Sequence, residues 1–219
     1  MELHKTKTGA MKQFEGWART YDRSILNLLM FRPAYRSMFK EVRKRAGKSS
    51  PPFRLLDISC GTGNFLAKCR DSNMDIEGTG LDMAHNMIDL ARSKAAKAGK
   101  NGASPCFALG DSERLPFRAG YFDMVTCSNS FHHYPDQLQA IKEMRRVLKD
   151  GGALVLIDGH RDDPWGYLIF DVGVNGIEKN VRHCSRREFM RLLKAAGFRK
   201  ITQQMTWICP PLLMTVGQA

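Results

Sequence analysis

The sequence predicts a single doubly wound α/β domain, Rossmann-like, with helices on both faces of a seven-stranded, mostly parallel sheet whose last strand is antiparallel. Short apolar segments bounded by Gly, Pro, Asp or Ser alternate along the chain with segments whose apolar residues recur at helical spacing. The chain has 219 residues, of which 43% are hydrophobic and 26% charged, as is usual for one globular domain.

Five apolar segments are predicted to be parallel strands, because they are short and nearly continuous, as in strands that are buried on both faces. They are Phe53–Ile58, Ile76–Asp82, Cys106–Leu109, Phe122–Ser128 and Ala153–Ile157.

The segments between these strands have the apolar spacing of amphipathic helices, as over Met87–Ala95 and Leu138–Leu148, the second with Gly151 as its expected stop. Ser185, followed three residues later by Glu188, predicts a capping box at the start of another helix.

The C-terminal end departs from this alternation. Ile201–Trp207 and Leu212–Val216 have the composition of strands, but only a short turn containing two prolines separates them. Parallel neighbours need a connection of a dozen or more residues, so we expect an antiparallel hairpin here.

Two segments lie outside the alternation. Residues 1–48 are predicted to form an N-terminal helical lid, and residues 49–219 the α/β domain, in which residues 158–184 form an insertion. We expect both segments to cover the carboxyl ends of the strands, where open α/β sheets bind ligands.

Composition excludes some classes of protein and leaves others open. A formal net charge of +12 is compatible with an acidic substrate, an anionic membrane surface or RNA. The six cysteines contain no C-x-x-C pair, so we expect neither a disulfide framework nor a metal site. With no secretory signal and no transmembrane segment in this sequence, we expect a cytoplasmic protein.

The turn after the first strand predicts the cofactor. Asp57 opens a glycine-rich turn, and Asp82 ends the second strand at the spacing of an acid that binds ribose hydroxyls. A dinucleotide-binding turn usually has a third small residue at the position that Leu66 occupies here, which argues against such a site. No Walker A lysine follows, which argues against a P-loop. The pattern therefore favours a nucleoside ligand such as S-adenosylmethionine.

At this point the sequence resembles a known family. The run LLDISCGTGNFL resembles motif I of class I S-adenosylmethionine-dependent methyltransferases, and GTGLDMAHNMIDLARSK resembles their second motif. The run GDSERLPFRAGYFDMVTCSNSFHHYPD is similar to their third and fourth strands. The resemblance covers about residues 50 to 200 and departs at Ser59, where motif I commonly has its first glycine.

The resemblance implies a cofactor site with S-adenosylhomocysteine as the product. Asp57 would orient the loop or receive the ammonium; Ser59, Gly61 and Gly63 would line the methionine and ribose portion; Asp82 would bind ribose, with Met83 against adenine; Asp111 and Ser112 would bind adenine; and Asn129 would lie near the methionine end. The segment around Tyr21 is similar to the lid of ubiquinone/menaquinone C-methyltransferase-like enzymes, which would place Tyr21 near the cofactor.

The resemblance predicts an enzyme that transfers a methyl group to a small organic molecule by direct in-line displacement. Alignment supplies much of such catalysis, and a base is needed when the acceptor atom carries a proton. His132, His133 and His160 are the candidate bases, and of these we assign His132 and His160 as catalytic. The alternatives are an RNA methyltransferase, which the basic clusters at Arg43–Arg45, Arg145–Arg146 and Arg186–Arg187 would serve, and a binding module without turnover.

Overall fold

The computed structural model describes Asp22 and residues 31–98, 102–162, 181–206 and 212–219. These residues form seven strands: β1 (Phe53–Ile58), β2 (Ile76–Asp82), β3 (Cys106–Leu109), β4 (Phe122–Ser128), β5 (Leu148–Asp158), β6 (Arg199–Thr206) and β7 (Leu212–Gln218). Their helices are α1 (Arg32–Ala46), α2 (Asn64–Arg70), α3 (His85–Lys97), α4 (Gln137–Val147) and α5 (Arg186–Ala195), with a 3₁₀ turn over Phe131–His133.

The strands form one sheet in the order β3-β2-β1-β4-β5-β7-β6. The pairs among β1 to β5 are parallel, and β7 is antiparallel to both β5 and β6. The predicted fold class, including the terminal antiparallel hairpin, is therefore confirmed. Chain order reverses between β1 and β4, and ligands of open α/β sheets bind in the crevice at that point.

Alternate residues of the central strands are buried on opposite faces of the sheet. Leu56, Val125 and Leu154 belong to the cluster that includes Ile141 of α4 and Phe189 of α5. Their sequence neighbours in the strands instead belong to the cluster that α1 and α2 cover, as Leu55, Met124 and Val155 show. Burial on both faces explains the continuous apolar runs that identified these strands.

The boundary between α4 and β5 lies earlier than the sequence indicated. Leu148 was expected to be helical, with Gly151 as the stop, yet α4 ends at Val147 and Leu148 already pairs with Phe122. The register then shifts so that Met124 faces Ala153. β5 therefore begins earlier than predicted and contains a bulge. Its first part could not be identified from an apolar pattern, because Lys149–Gly152 are polar residues or glycines.

The predicted capping box of α5 is present. The Ser185 hydroxyl accepts the Glu188 backbone N–H at 3.2 Å, and the Glu188 carboxylate accepts the Ser185 backbone N–H at 2.8 Å. The free backbone donors of the first turn are thereby satisfied.

The structure also bears on cysteines and membranes, within the residues it describes. Cys60, Cys69, Cys106, Cys127 and Cys184 are free thiols. No helix in the described ranges is long and apolar enough to cross a membrane.

Gly63 has two separate reasons to be glycine, and they predict a destabilised variant. Its φ is 77°, and an added Cβ would lie 2.8 Å from the Phe107 ring. We expect Gly63→Ala to destabilise the fold by about 2–4 kcal/mol through strain and overpacking. Gly120 is the matched control, because its φ is 64° but nothing lies near its Cβ position. Chemical denaturation should show a loss of about 1 kcal/mol for Gly120→Ala, and equal losses for the two variants would contradict the packing role of Gly63.

Candidate functional site

A cavity of about 680 Å³, including its part open to solvent, lies at the carboxyl ends of the strands. Seven predicted cofactor residues line it: Ser59, Gly61, Asp82, Met83, Asp111, Ser112 and Asn129. The remaining lining residues were not singled out for binding: Met87, Ser128, Ser130, His133, Tyr134 and Pro135. Met87 was identified only by helical periodicity, which does not distinguish a core position from a position that also faces a ligand.

Asp82 joins the end of β2 to the glycine-rich turn. One carboxylate oxygen accepts the Gly61 N–H at 2.9 Å, and the other accepts the Ala84 N–H at 2.9 Å. Burial raises the pKa of Asp82, and the bonds from Ala84, Gly61 and Met83 oppose that shift. Each carboxylate oxygen has a further lone pair, so Asp82 retains the capacity to accept hydroxyl donors.

The backbone of the turn is mostly bonded within the protein. The N–H of Cys60 donates to the Leu81 carbonyl, that of Gly61 to Asp82, and that of Gly63 to the Cys60 carbonyl. A pyrophosphate site needs such N–H groups to point at the ligand. Their engagement here disfavours a dinucleotide phosphate at this turn.

Asp57 lies beneath the turn and is 4% exposed. Burial raises the pKa of its carboxyl to about 7, while the Thr126 hydroxyl, which donates to it over 2.7 Å, opposes that shift. The negative charge of Asp82 adds to the increase. Two buried carboxyl groups whose pKa values are raised form a site that a cationic ligand rich in hydroxyl donors would stabilise. S-adenosylmethionine, with its ammonium, sulfonium and ribose, fits that description.

Ser59 replaces the expected glycine without displacing the turn. Its φ is 54°, in the left-handed region, and its hydroxyl lies 2.7 Å from the Tyr134 hydroxyl. Asn129 has a φ of 52° and its N–H donates to the Ile157 carbonyl at 2.8 Å. Left-handed backbone at two non-glycine residues facing one cavity is typical of functional sites.

The other predicted cofactor residues occupy distinct places. The backbone of Asp111 forms an isolated antiparallel β-bridge with that of Arg114, and the Asp111 carboxylate accepts the Glu113 N–H. Asp111 therefore shapes the loop in which Ser112 lies. Gly63 packs against Phe107 and Ala91 instead of appearing in the cavity lining. Tyr21 lies outside the described residues.

Asp22, directly after Tyr21, is bonded to the glycine-rich turn. Its carboxylate accepts the Thr62 hydroxyl at 2.6 Å and the Asn64 amide at 2.8 Å, and it pairs with Lys94 at 2.9 Å. Lys94 also donates to Thr62 and Asn64. The point at which the N-terminal segment meets the cofactor turn is therefore a polar cluster, which the sequence did not indicate.

The candidate bases lie near the end of β5: His132 is in the 3₁₀ turn after β4, and His160 follows β5, while His133 lines the cavity. His132 Nδ1 is 2.6 Å from an Asp158 oxygen, and the centroid of the His132 ring lies 4.2 Å from that of His133 and 4.4 Å from that of His183. His160 is 2% exposed, and its Nδ1 lies 3.5 Å from Asp162. Asp158, which lies two residues from His160 in the sequence, pairs with His132 in the structure.

His132, Asp158 and His183 each bring one potential ligand atom within 4.8 Å of the others, which raises the question of a metal ion. The short O–N distance of 2.6 Å is that of a hydrogen bond, whereas two ligands of a tetrahedral zinc ion lie about 3.3 Å apart. The rings of His132 and His183 are stacked at 27°, so their in-plane lone pairs do not converge on one point. This geometry suits a shared proton better than a metal.

Comparisons with known proteins agree with this geometry. Residues 56–156 match the family model described as a methyltransferase domain. Demethylmenaquinone methyltransferase of Deinococcus radiodurans is 41% identical over 107 residues, which are 49% of this chain and 43% of that protein. The protein of the same name from Thermotoga maritima is 34% identical over 158 residues, 70% of this chain and 63% of the relative. The chain thus spans less than two thirds of the length of these relatives.

Solved structures share the fold over more of the chain. A SAM-dependent methyltransferase from Aquifex aeolicus has a TM-score of 0.67 at 18% identity, covering 93% of this chain and 97% of the other. The [4+2]-cyclase SpnF also has a TM-score of 0.67 at 18% identity, covering 83% and 80%. Because one of these neighbours is named as a cyclase, the fold alone does not specify the reaction. Residues 56–156 therefore match a methyltransferase domain, and the fold of the chain is the one found in S-adenosylmethionine-dependent methyltransferases.

Proposed function

We propose that the chain binds S-adenosylmethionine at the carboxyl edge of the sheet and transfers its methyl group to a small organic acceptor by in-line displacement. The observation that supports this most is the pair of buried carboxyl groups, Asp57 and Asp82, beside a turn whose N–H groups are engaged within the protein. Such a site complements a cationic nucleoside and opposes an anionic dinucleotide. The two relatives are also named for a small organic acceptor.

In this proposal each group of lining residues contacts a different part of the cofactor. Asp82 accepts the ribose hydroxyls, and Asp57 balances the ammonium through the turn. Met83 and Met87 pack against adenine, while Asp111 and Ser112 bind its polar edge. Ser59 and Asn129 lie along the methionine portion. The bound cofactor supplies an electrophilic methyl group, and the protein supplies its alignment with the acceptor.

We expect the acceptor to approach from the side that residues 1–48 and 158–184 are predicted to cover, where their closure would exclude water from the reacting atoms. Tyr21 and the assignment of these segments as lid and insertion remain predictions. The hydrogen bonds that Asp22 accepts from Thr62 and Asn64 support a close approach of the N-terminal segment to the cofactor turn.

RNA is less well supported as the acceptor, because several arginines of the basic clusters are paired. Arg146 donates to Glu143 and to two backbone carbonyls, Arg145 pairs with Asp150, and Arg45 lies 3.7 Å from Glu41. Arginines engaged in this way offer fewer donors to phosphate.

Ligand binding and transfer test the proposed function directly. Calorimetry should show saturable binding of S-adenosylmethionine and S-adenosylhomocysteine, each raising the melting temperature by mass action, and no comparable effect of NAD. Demethylmenaquinone, reduced to its hydroquinone, is the first acceptor to supply with methyl-labelled cofactor. Stabilisation by NAD alone would contradict the cofactor assignment, and labelling of RNA in preference to small acceptors, lost with added salt, would contradict the acceptor class.

A further inference from the structure

A buried carboxylate–imidazole pair lies beside the cavity, between the loop after β4 and the end of β5. One oxygen of Asp158 is 2.6 Å from His132 Nδ1, and the other accepts the His132 backbone N–H at 2.9 Å. Asp158 is 1% exposed and His132 8%. With both its ring and its backbone bonded to the same carboxylate, His132 has a fixed orientation.

Asp158 is held in its ionised form. Burial disfavours its charge, but the His132 ring and its hydrogen bond, the charge of His183 and the Gly159 N–H together place the pKa of Asp158 below its ordinary value. An ionised carboxylate only accepts hydrogen bonds, so His132 Nδ1 carries the proton of this bond. In the neutral ring the lone pair is then on Nε2.

The other groups that face this pair are also imidazoles. The His133 ring, which lines the cavity, is tilted by 46° against the His132 ring with their centroids 4.2 Å apart, and the His183 ring stacks on His132 at 4.4 Å. Besides these rings, the described residues bring two buried thiols near the pair, Cys127 and Cys184, and burial together with the charge of Asp158 raises the pKa of both. Asp158 is the anion among them, and it is positioned to stabilise an imidazolium at His132.

We propose that His132 takes up the acceptor's proton at Nε2 and that Asp158 is the positioning residue that fixes this tautomer. The substrate class is then an acceptor whose nucleophilic atom carries an ionisable proton, a hydroxyl group or an activated carbon. This inference rests on the proposed function. In the balanced step the acceptor gains the methyl group and loses its proton to Nε2. The positive charge of the sulfonium is thereby replaced by that of an imidazolium paired with Asp158.

The tautomer can be measured without any acceptor. In the full chain labelled with ¹⁵N-histidine and saturated with S-adenosylhomocysteine, we expect one imidazole at pH 8 with a downfield Nδ1 proton and an unprotonated Nε2. His132→Gln should remove this signal, and Asp158→Asn should remove the downfield proton. Asp162→Asn is the matched control, because Asp162 lies near His160 instead, and it should leave the signal unchanged.

Opposite results would overturn the inference. A His132 ring protonated at Nε2 in the wild-type spectrum, or stoichiometric zinc that survives dialysis and requires His132 and His183, excludes the proposed role. The wild-type spectrum decides the tautomer even if Asp158→Asn does not fold. It also does so whether or not methyl transfer is detected, so failure of this inference and failure of the proposed function are distinguishable.

Kinetics with the demethylmenaquinone hydroquinone provide a second readout. We expect Asp158→Asn to lower kcat by about 10–100-fold with little change in the KM for S-adenosylmethionine, since general bases contribute at least this much. Removing the neighbouring anion lowers the pKa of an imidazole, so the acid limb of the pH–rate profile should move to lower pH. Loss of kcat in Asp162→Asn with normal kcat in Asp158→Asn would assign the base to His160 and overturn the proposal.

Discussion

Replacing Asp82 with alanine is expected to weaken S-adenosylhomocysteine binding by about 10³-fold. Two hydroxyl donors to one carboxylate contribute about 1.5–3 kcal/mol each, and every 1.4 kcal/mol is about tenfold in affinity. The carboxylate also holds the Gly61 N–H at 2.9 Å, so its loss frees the turn that encloses the ligand. Calorimetry on the wild type and on Asp82→Ala measures the change.

Two measurements separate this binding role from general damage. Asp89→Ala is the control, because Asp89 is an aspartate in α3, the helix that follows Asp82. Its side chain is 55% exposed, and among the described residues its ion pair is with His85. Its affinity for the ligand should stay within about twofold, as for an exposed pair. Unchanged binding in a folded Asp82→Ala variant would reject the ribose role.

The cofactor half of the site was predictable because its signals are local. A glycine-rich turn after a buried strand, and an acid at the end of the next strand, lie close together once the strands are parallel neighbours. Asp57 and Asp82 end adjacent strands, β1 and β2, whose register pairs Asp57 with Gly80. The apolar pattern of the strands, the glycine-rich turn and the expected parallel order of the strands together predicted that these two side chains lie close to each other.

The acceptor side was less predictable because its contacts join residues that are distant in sequence. Asp158 and His132 are separated by 26 positions, and His183 joins them from the far end of the predicted insertion. In the sequence Asp158 stands two residues from His160, so position along the chain does not indicate its contact with His132. Only the parallel pairing of β4 with β5 brings the loop after β4 to the end of β5.

Ser59 shows how a departure from a motif is accommodated. A serine in left-handed backbone is strained relative to glycine by about 1 kcal/mol. Its hydroxyl contact with Tyr134, 75 residues away, offsets part of that strain. Since Tyr134 also lines the cavity, the substitution links the turn to the loop after β4, a connection that no local pattern could have indicated.

Replacing Asp57 with asparagine is expected to make the ligand-free protein more stable and the cofactor complex much weaker. Burial raises the pKa of Asp57 to about 7 in the folded protein, from its ordinary value of 3.8. A pKa raised by folding means that the stability associated with the protonated form is lost as pH rises through 7. At pH 8 the wild type buries an ionised carboxylate, whereas asparagine stays neutral and can still accept the Thr126 hydroxyl. We expect a gain on the order of 2 kcal/mol in the unfolding free energy at pH 8, and about 100-fold weaker S-adenosylhomocysteine binding.

The pH dependence of binding identifies the group responsible. Between pH 5.5 and 7 the ligand's amino group stays protonated, because its ordinary pKa is about 7.7–8.0. If the ammonium needs the Asp57 carboxylate, wild-type affinity should rise about tenfold per pH unit in this range, since Asp57 must release its proton. Asp57→Asn should abolish the dependence. Thr126→Val removes the hydrogen bond that lowers the pKa of Asp57, so it should shift the dependence to higher pH. A carboxyl group with a pKa near 7 must lose its proton before it can pair with a cation, so such a pair makes the affinity for the ligand depend on pH. Wild-type affinity that is constant across this range would therefore show that Asp57 does not balance the charge of the ligand's ammonium group.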